Sequence, residues 1–597
     1  MSNKQIAEKL REVAVAYEIL GENRFRINAY NQAAESIENL AEDIQQVWKR
    51  GDLQKVPGIG GSLAQHLDQL FQSGRVSHFD EFTAKMPDGL YELLKIRTIG
   101  PKTAFKLSEL LNKPPFHKKE SIYSRLEQAL TKHVIQDMEG FGEKREKDIY
   151  DALQQFKQGT KKKKRMLLVE ADIVASSLTK HLKKDPHISS IDYLGSFRRR
   201  KETVGDIDVA VATSDPEKTV EHFITYEKRL KTVDRGEQGA TILVEDGIQI
   251  DLRVIDKKRY GSMLQYFTGS KYHNIRLREY ALEMGYSLNE YGIKEVKTGK
   301  VHMFSSEDAF YRFLKLPAIP SEIREDRGEV EAARSGTLPK LLETSQMKGD
   351  LHIHSDYDYP SSHDVGISTL EELLKSASQK GYEYIGLGDH NPKQSALSKK
   401  EVVAVTKERR KHFEHILYDK KLLQKYPQVK KVYIMYEVDI RPDGTLALPE
   451  EALEYLDGII ISIHSSFEMP AEQMTKRILS ALEFPKVRIV GHPTGRLINE
   501  REQISADWRQ IFSVCKKKDI ALEINASPHR LDLADTLIFQ GIQSGVRFTI
   551  DTDSHQVKQM DHMEYGISMA RRGWAQRSDI LNTRSFSEFD KWFMKAG

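Results

Sequence analysis

Asp206 and Asp208 stand two apart in Gly205-Asp206-Ile207-Asp208, and Asp251 lies between apolar residues in Gln249-Ile250-Asp251-Leu252-Arg253. Alternate residues of a strand share a face, so the spacing predicts that Asp206 and Asp208 aim at one point. Three converging carboxylates repel unless cations neutralise them, and Mg²⁺ is the hard ion expected beside substrate phosphates. Two such ions, about 3.5–4 Å apart, can activate a 3′-hydroxyl and stabilise a leaving pyrophosphate. Upstream, Leu194-Gly195-Ser196-Phe197-Arg198-Arg199-Arg200 offers a turn at Gly195 and Ser196 whose backbone N–H groups, with the Arg199 guanidinium, suit the β and γ phosphates.

A second set of residues implies a different metal chemistry. Asp350-Leu351-His352-Ile353-His354-Ser355 places two imidazoles on one strand face. Further His and acidic residues close successive apolar runs: His390 in GDHN, Glu437 in YEVD, His464 in ISIHS, His492 in VGHP, and Asp553 with His555 in TDSH. Strand ends are where βα barrels carry their active sites, and mixed His and carboxylate ligation suits Mn²⁺, Zn²⁺ or Fe²⁺. A single cysteine, Cys515, excludes an intramolecular disulfide and a thiolate zinc cluster.

The elements that must hold these residues change along the chain. From 1 to about 155 apolar residues recur at three and four, broken by Gly-containing turns, which predicts helical hairpins. Two turns, Val56-Pro57-Gly58-Ile59-Gly60-Gly61 and Ile96-Arg97-Thr98-Ile99-Gly100-Pro101-Lys102, repeat one spacing ahead of an amphipathic helix, with a weaker third copy at Gly140-Phe141-Gly142-Glu143-Lys144. Such turns present backbone N–H groups to a DNA phosphate without reading sequence, so Gly58, Gly60, Gly100 and Lys102 are candidate DNA contacts. From about 190 short β-branched strands predict an α+β domain, and from 350 alternating strands and helices predict a parallel βα barrel. The basic run 161–165 marks one boundary and the polar stretch 321–344 another.

At 597 residues the chain must hold several domains. Its 39% hydrophobic and 30% charged content fits folded domains, and a net charge of +3 leaves nucleic-acid binding to local patches. No apolar run reaches the roughly 20 residues of a membrane span, and the N-terminus reads as an amphipathic helix rather than a secretion signal, which predicts a cytoplasmic protein without membrane contact.

The G-S-x-R-R turn followed by D-x-D closely resembles the nucleotidyltransferase signature. Tyr266-Phe267-Thr268-Gly269-Ser270, with Asn274 and Arg278 downstream, resembles the nucleotide-selecting segment of DNA polymerase beta and its X-family relatives. That resemblance, covering nearly all of 1–330, implies that Asp206, Asp208 and Asp251 are catalytic. It implies that Gly195, Ser196, Arg199, Gly205, Arg253 and Gly269 serve the substrate site. Tyr266 and Phe267 would pack beside the incoming sugar, Asn274 would reach the base edge, and Arg278 would contact the template. Lys271 departs from the family, where polymerase beta has an acidic residue on the base. Residues 348–597 resemble the PHP (polymerase and histidinol phosphatase) family, whose trinuclear centre hydrolyses phosphoesters. This implies three Mn²⁺ or Zn²⁺ ions on His352, His354, Asp364, His390, Glu437, His464, His492, Asp553 and His555. Where the family usually has S-D-G after H-x-H, this sequence carries an insertion; Asp364 matches best and Asp358 is the alternative.

The sequence thus predicts a helical N-terminal domain resembling that of polymerase beta (1–90), a second hairpin domain (91–165), a nucleotidyltransferase palm (166–262) and a nucleotide-selecting subdomain (263–325). A linker (326–347) and a distorted PHP barrel (348–597) follow. The expected activity is gap filling in base excision repair on gapped or primed DNA with dNTPs, by a monomer, with 3′–5′ exonuclease and abasic-site or 3′-end cleaning in the barrel. The competing reading is a DNA-binding phosphoesterase with a relict polymerase. In polymerase beta a lysine on the helix after the first hairpin forms a Schiff base with the abasic sugar. His66 falls there in this sequence, with Ser62 one turn earlier, so 5′-deoxyribose phosphate removal is expected to be lost.

Overall fold

The computed structural model describes all residues except 2, 39, 41–43, 57, 97, 117–119, 158–164 and 596–597. The basic positions 161–164, Pro57 and Arg97 therefore lie outside the described residues. The chain divides into two compact units, Met1–Lys164 and Arg165–Gly597.

The first unit is helical and has two apolar cores. In helix Asn3–Leu20 the three-and-four spacing buries Ile6, Leu10, Val13, Ala14 and Tyr17, which join Tyr30, Ile37, Leu67 and Phe79. A second core gathers Leu90, Leu93, Leu107, Leu126, Ile149 and Leu153. Helix Gly61–Ser73 stops at Gly74, whose φ of 71° gives the left-handed cap that a side chain would resist.

In the second unit a five-stranded mixed sheet runs Ile188–Tyr193, Ile207–Thr213, Gln249–Ile255, Gly239–Val244, Arg229–Gly236. Its parallel central pair sets Asp208 opposite Asp251. Along Gln249–Ile255 Ile250, Leu252 and Val254 are buried, so Gln249, Asp251 and Arg253 share the other face. Helices Tyr260–Thr268 and Lys271–Glu283 and a three-stranded antiparallel sheet follow.

Seven parallel strands in sequence order then form the barrel: Gly349–Ile353, Tyr384–His390, Lys431–Asp439, Gly458–Ser462, Val487–Val490, Ala521–Asn525 and Phe548–Asp551. A bridge between Ile353 and Ser554, with the His354 N–H donating to the Ser554 carbonyl at 2.8 Å, brings the last segment back to the first strand. The strands are buried on both sides, which is why they read as near-continuous apolar runs. Aromatics of the final helix Phe586–Phe593 pack on strand residues on the side away from the histidines: Phe589 stacks on Tyr384 with centroids 4.3 Å apart, and Phe593 lies 4.5 Å from Tyr433.

The stretch 326–347, expected as a linker, is folded. Helix Glu329–Ser335 places Glu329 against buried His273 at 2.7 Å, Leu342 is fully buried, and Arg327 reaches Asp535 at 3.1 Å. Of its charges Arg327 pairs with the barrel and Glu329 with His273, while Lys340 and Glu343 face solvent. The central charge is Arg572, 1% exposed, which donates to Glu325 at 3.0 Å, Asp535 at 2.5 Å and the Arg199 carbonyl at 2.7 Å. Burial opposes ionisation of Glu325, but Arg572 and Arg199 bring it down to about 2. Removing one partner of a buried pair costs about 3–5 kcal/mol. Arg572→Ala should therefore lower the unfolding free energy of the second unit by that order, read as a lower midpoint at unchanged slope in a urea titration, whereas an unchanged midpoint would show the cluster to be energetically idle.

Candidate active sites

The palm site begins with strand register. Asp208 and Asp251 face each other on the parallel pair, and Thr241 Oγ1 and Gln249 Nε2 donate to the two Asp251 oxygens at 2.5 and 2.9 Å. Asp206 is exposed in the bend before Ile207–Thr213, so it reaches the site from a turn and not, as the two-residue spacing predicts, from the strand. Gly205 lies in that bend beside the Arg165 guanidinium, 2.8 Å from where a Cβ would stand. Gly195, at φ 59°, is held against Asp208, whose Oδ2 would lie 3.0 Å from an added Cβ. The Leu194 N–H donates to the Asp208 carbonyl at 2.9 Å, fixing the short helix Gly195–Arg198, which contains Ser196, on the strand.

Arg253 Nε lies 3.6 Å from Asp208 and its guanidinium sits 4.0 Å over the Phe267 ring. Phe267 in turn meets Tyr266 edge-on at 5.0 Å, and Arg278 stands 5.4 Å from the Tyr266 ring centre. Asn274 donates to the Tyr266 carbonyl at 2.7 Å and accepts from Gln265 at 2.9 Å, so its amide orients Tyr266. Arg199 is directed into the protein. It donates to Glu325 at 3.0 Å and to the Thr268 carbonyl at 2.5 Å, close to Gly269, where a Cβ would come within 3.1 Å of the guanidinium.

The barrel site is centred on Glu437, fully buried at the end of Lys431–Asp439. Four imidazoles surround it: His492 at 2.7 Å, His390 at 2.9 Å, and His352 and His464 at 3.3 Å. None of these approaches is aligned as a hydrogen bond for either Glu437 oxygen, and His352 Nε2, His354 Nδ1, His390 Nδ1, His492 Nδ1 and His555 Nε2 are also buried without a hydrogen-bond partner. Buried polar atoms are normally satisfied, so donor atoms converging without shared protons are the arrangement a cation fits. His354 and His555 stack at 3.9 Å, and His354 Nε2 lies 3.2 Å from Asp553. Among the described residues, four groups bring three donor atoms within 4.8 Å of one another, and all four lie at this end of the barrel.

Without an ion the imidazoles divide, some held neutral by burial and others, His352 and His464, charged by neighbouring carboxylates, so that a metal must displace their protons. Burial opposes the Glu437 charge, yet His464 and His352 hold its carboxyl well below the usual range. Burial pulls His354 far down and His492 to about 4, leaving both neutral, the form that binds metal. His464 rises to about 9 against its burial because Glu437 and Asp439 flank it. Asp364 comes within 3.7 Å of His390 and 3.3 Å of His555; both it and Asp358 on the same segment are exposed.

Sequence reasoning missed the residues that orient these ligands. Glu523 accepts from His352 Nδ1 at 2.7 Å, and Asp439 from His464 Nδ1 at 2.5 Å, each fixing a tautomer that leaves Nε2 for ligation. Their signal was available: Glu523 stands two before Asn525 in the strand reading ALEIN, and Asp439 two after Glu437 in EVD. His363, also missed, is discussed below.

In the first unit Gly60 and Gly100 cap helices Gly61–Ser73 and Pro101–Leu111 with matching dihedrals (φ −77°, ψ 171° and φ −87°, ψ 174°). An added Cβ at either would meet nothing within 4 Å, so these backbones are open on that side. Gly58, at φ 79°, abuts Gln32, and Lys102 is exposed. Beside Thr98 of the second turn, Gly140, Gly142, Lys144 and Arg145 line an open cleft, so the weak third copy adjoins the second. His66 accepts or donates at 2.9 Å to Tyr30 and stacks on His78 at 4.6 Å.

These sites define an enzyme of two phosphate-ester chemistries, a nucleotidyltransferase palm joined to a histidine-rich barrel. Family profiles match in the same order: a helix-hairpin-helix domain (1–76), a SAM-like helix-hairpin-helix tandem (90–155), a DNA polymerase beta thumb (263–325) and a PHP domain (350–527). The chain is 32% identical over 598 residues, the full length of both, to the DNA polymerase/3′-5′ exonuclease PolX of Bacillus subtilis (strain 168). DNA polymerase lambda of Arabidopsis thaliana is 24% identical over 314 residues, 49% of this chain and 54% of its own, and a probable phosphatase of Thermoanaerobacter sp. (strain X514) is 24% identical over 246 residues, 39% of this chain and 89% of its own. The chain belongs to the PolX-type family X DNA polymerases that carry a PHP domain.

Asp208 carries a pH prediction. Burial and the neighbouring Asp206 push its carboxyl up from 3.8 to about 6, so below that pH a proton competes with the cation. Calorimetric Mg²⁺ titrations should show affinity falling about tenfold per pH unit below 6, and Asp208→Asn should flatten the dependence; an equal slope in both proteins would remove Asp208 as its source.

Proposed function

We propose that this chain fills short DNA gaps in base excision repair by adding dNTPs in the palm and trims or cleans 3′ ends in the barrel, with cleavage at abasic sites by the same centre. The observation that carries the reading is the presence in one unit of an in-register Asp208–Asp251 pair open to substrate and a buried Glu437 among four unaligned imidazoles. Asp206, Asp208 and Asp251 are assigned to Mg²⁺, and the nine barrel residues His352, His354, Asp364, His390, Glu437, His464, His492, Asp553 and His555 to three Mn²⁺ or Zn²⁺ ions. Bound there, such ions lower the pKa of a hydroxyl or water and offset phosphate charge. Arg253 partly offsets Asp208, Tyr266 and Phe267 wall the sugar, and Asn274 and Arg278, both on Tyr266, set where that wall stands. Gly195 and Ser196 hold the triphosphate, and Arg199 joins them only by turning from Glu325 and the Thr268 carbonyl, with Gly205 and Gly269 beside that path. Gly58, Gly60, Gly100 and Lys102 take DNA phosphates.

We assign the sequence-defined domain borders to these roles, and a monomeric, cytoplasmic protein; no helix among the described residues is long and apolar enough to cross a membrane. Because the two sites use different residues, Asp208→Ala should reduce nucleotide addition by at least about 10³-fold while 3′ hydrolysis persists. His352→Ala with His354→Ala should do the reverse. Primer extension and 3′ degradation on the same preparations check both, and joint loss in a folded Asp208→Ala protein would sink the two-site reading.

His66 bears on the missing lyase step. Burial and His78 lower its pKa, but an imidazole, unlike an amine, forms no Schiff base. Borohydride trapping on incised abasic DNA should give no covalent adduct; a strong adduct mapped to residues 1–90 would overturn this.

A further inference from the structure

His363 lies in the segment between strand Gly349–Ile353 and helix Leu370–Gln379, away from any strand end. In space it nonetheless joins the barrel histidines. Its donor atom lies within 4.8 Å of those of His390 and His464, with ring centroids 4.8 and 4.5 Å away.

Its segment is fastened there. The Ser362 N–H donates to the Asn391 carbonyl at 2.9 Å, the Lys393 N–H to the Pro360 carbonyl at 2.8 Å, and Ser361 bridges Pro392. The Asn391 side chain in turn accepts from the Asp439 N–H at 2.9 Å, so the segment, His390 and Asp439 share one framework. Asp439 Oδ1 then stands 3.1 Å from His363 Nε2 and 2.5 Å from His464 Nδ1. A carboxylate that accepts one ring N–H leaves the opposite nitrogen with its lone pair. His390 ties this group to the Glu437 cluster: it is 5% exposed, and its Nδ1, 2.9 Å from Glu437, is buried without an aligned hydrogen-bond partner. Asp364, by contrast, is 77% exposed in its side chain and belongs to none of the four close groups.

We propose that His363 is a metal ligand of this chain's barrel, forming a three-imidazole site with His390 and His464 in which Asp439 positions two of the rings. Three imidazoles select a borderline first-row ion such as Zn²⁺, Mn²⁺ or Co²⁺ over Mg²⁺. The assignment rests on the reading of the barrel as a metal centre. A bare hydrogen bond between His363 and Asp439 would leave metal binding untouched by its loss.

Co²⁺ is the probe, titrated into the chelator-treated full-length protein while visible absorption and bound metal are followed. His363→Ala, in an exposed segment, should lose one Co²⁺ equivalent or bind it at least about 100-fold more weakly, with a changed visible spectrum, while primer extension continues. His363→Asp should restore the equivalent with a shifted spectrum, and His415→Ala, which removes an exposed imidazole paired with Asp419 outside the ligand set, should keep wild-type stoichiometry. An unchanged stoichiometry and spectrum in His363→Ala overturns the proposal alone. Wild-type protein that takes up no Co²⁺ overturns the metal-centre reading and this one with it.

Discussion

The barrel is organised by the cost of burying a carboxylate. Glu437 is fully enclosed, neither oxygen has an aligned donor, and an isolated buried charge of that kind is among the most expensive groups a fold can contain. Its environment answers by converging imidazoles from separate strands, whose own orientations are set by acids behind them: Glu523 behind His352, Asp439 behind His464. The parallel sheet makes this possible, because equivalent positions at the ends of neighbouring strands come side by side. The aromatic packing of Phe586–Phe593 closes the opposite side and keeps the polar groups at one end.

The palm meets the same problem with a lighter touch. Asp208 and Asp251 are half-buried, Asp251 has Thr241 and Gln249 as donors, and Arg253 faces Asp208 at a distance too long for a hydrogen bond. Partial exposure leaves room for substrate phosphates to bring their own cations. One fold thus carries an enclosed metal basket suited to resident ions and an open carboxylate pair suited to ions that arrive with nucleotide.

What was legible in the sequence follows from periodicity. Apolar neighbours marked Asp251 as lying in a strand, and apolar runs ending in His or acid gave the barrel strands and their order. Asp206 shows the limit: the two-residue rule holds only inside a strand, and the chain bends at Gly205 before the strand begins. Long-range charge pairs leave no local trace either. Arg199 pairs with Glu325 across 126 positions, Arg572 with Glu325 across 247 and Arg327 with Asp535 across 208, so a segment whose first charges hold distant partners read as a polar linker. His363 escaped because its place is set by loop hydrogen bonds to 391–393 rather than by any repeat.

The Arg572 cluster also bears on how such a chain evolves. Its charges come from three stretches: Arg199 in the palm, Glu325 and Arg327 beside the nucleotide-selecting segment, and Asp535 and Arg572 in the barrel. A lineage that shed or exchanged the barrel would strip Arg327 of Asp535 and leave Glu325 with Arg199 alone, and no single substitution repairs both. Fusion of the two domains therefore behaves as a ratchet: once these charges met, drift in either domain became answerable to the other, and the pair is inherited as one unit.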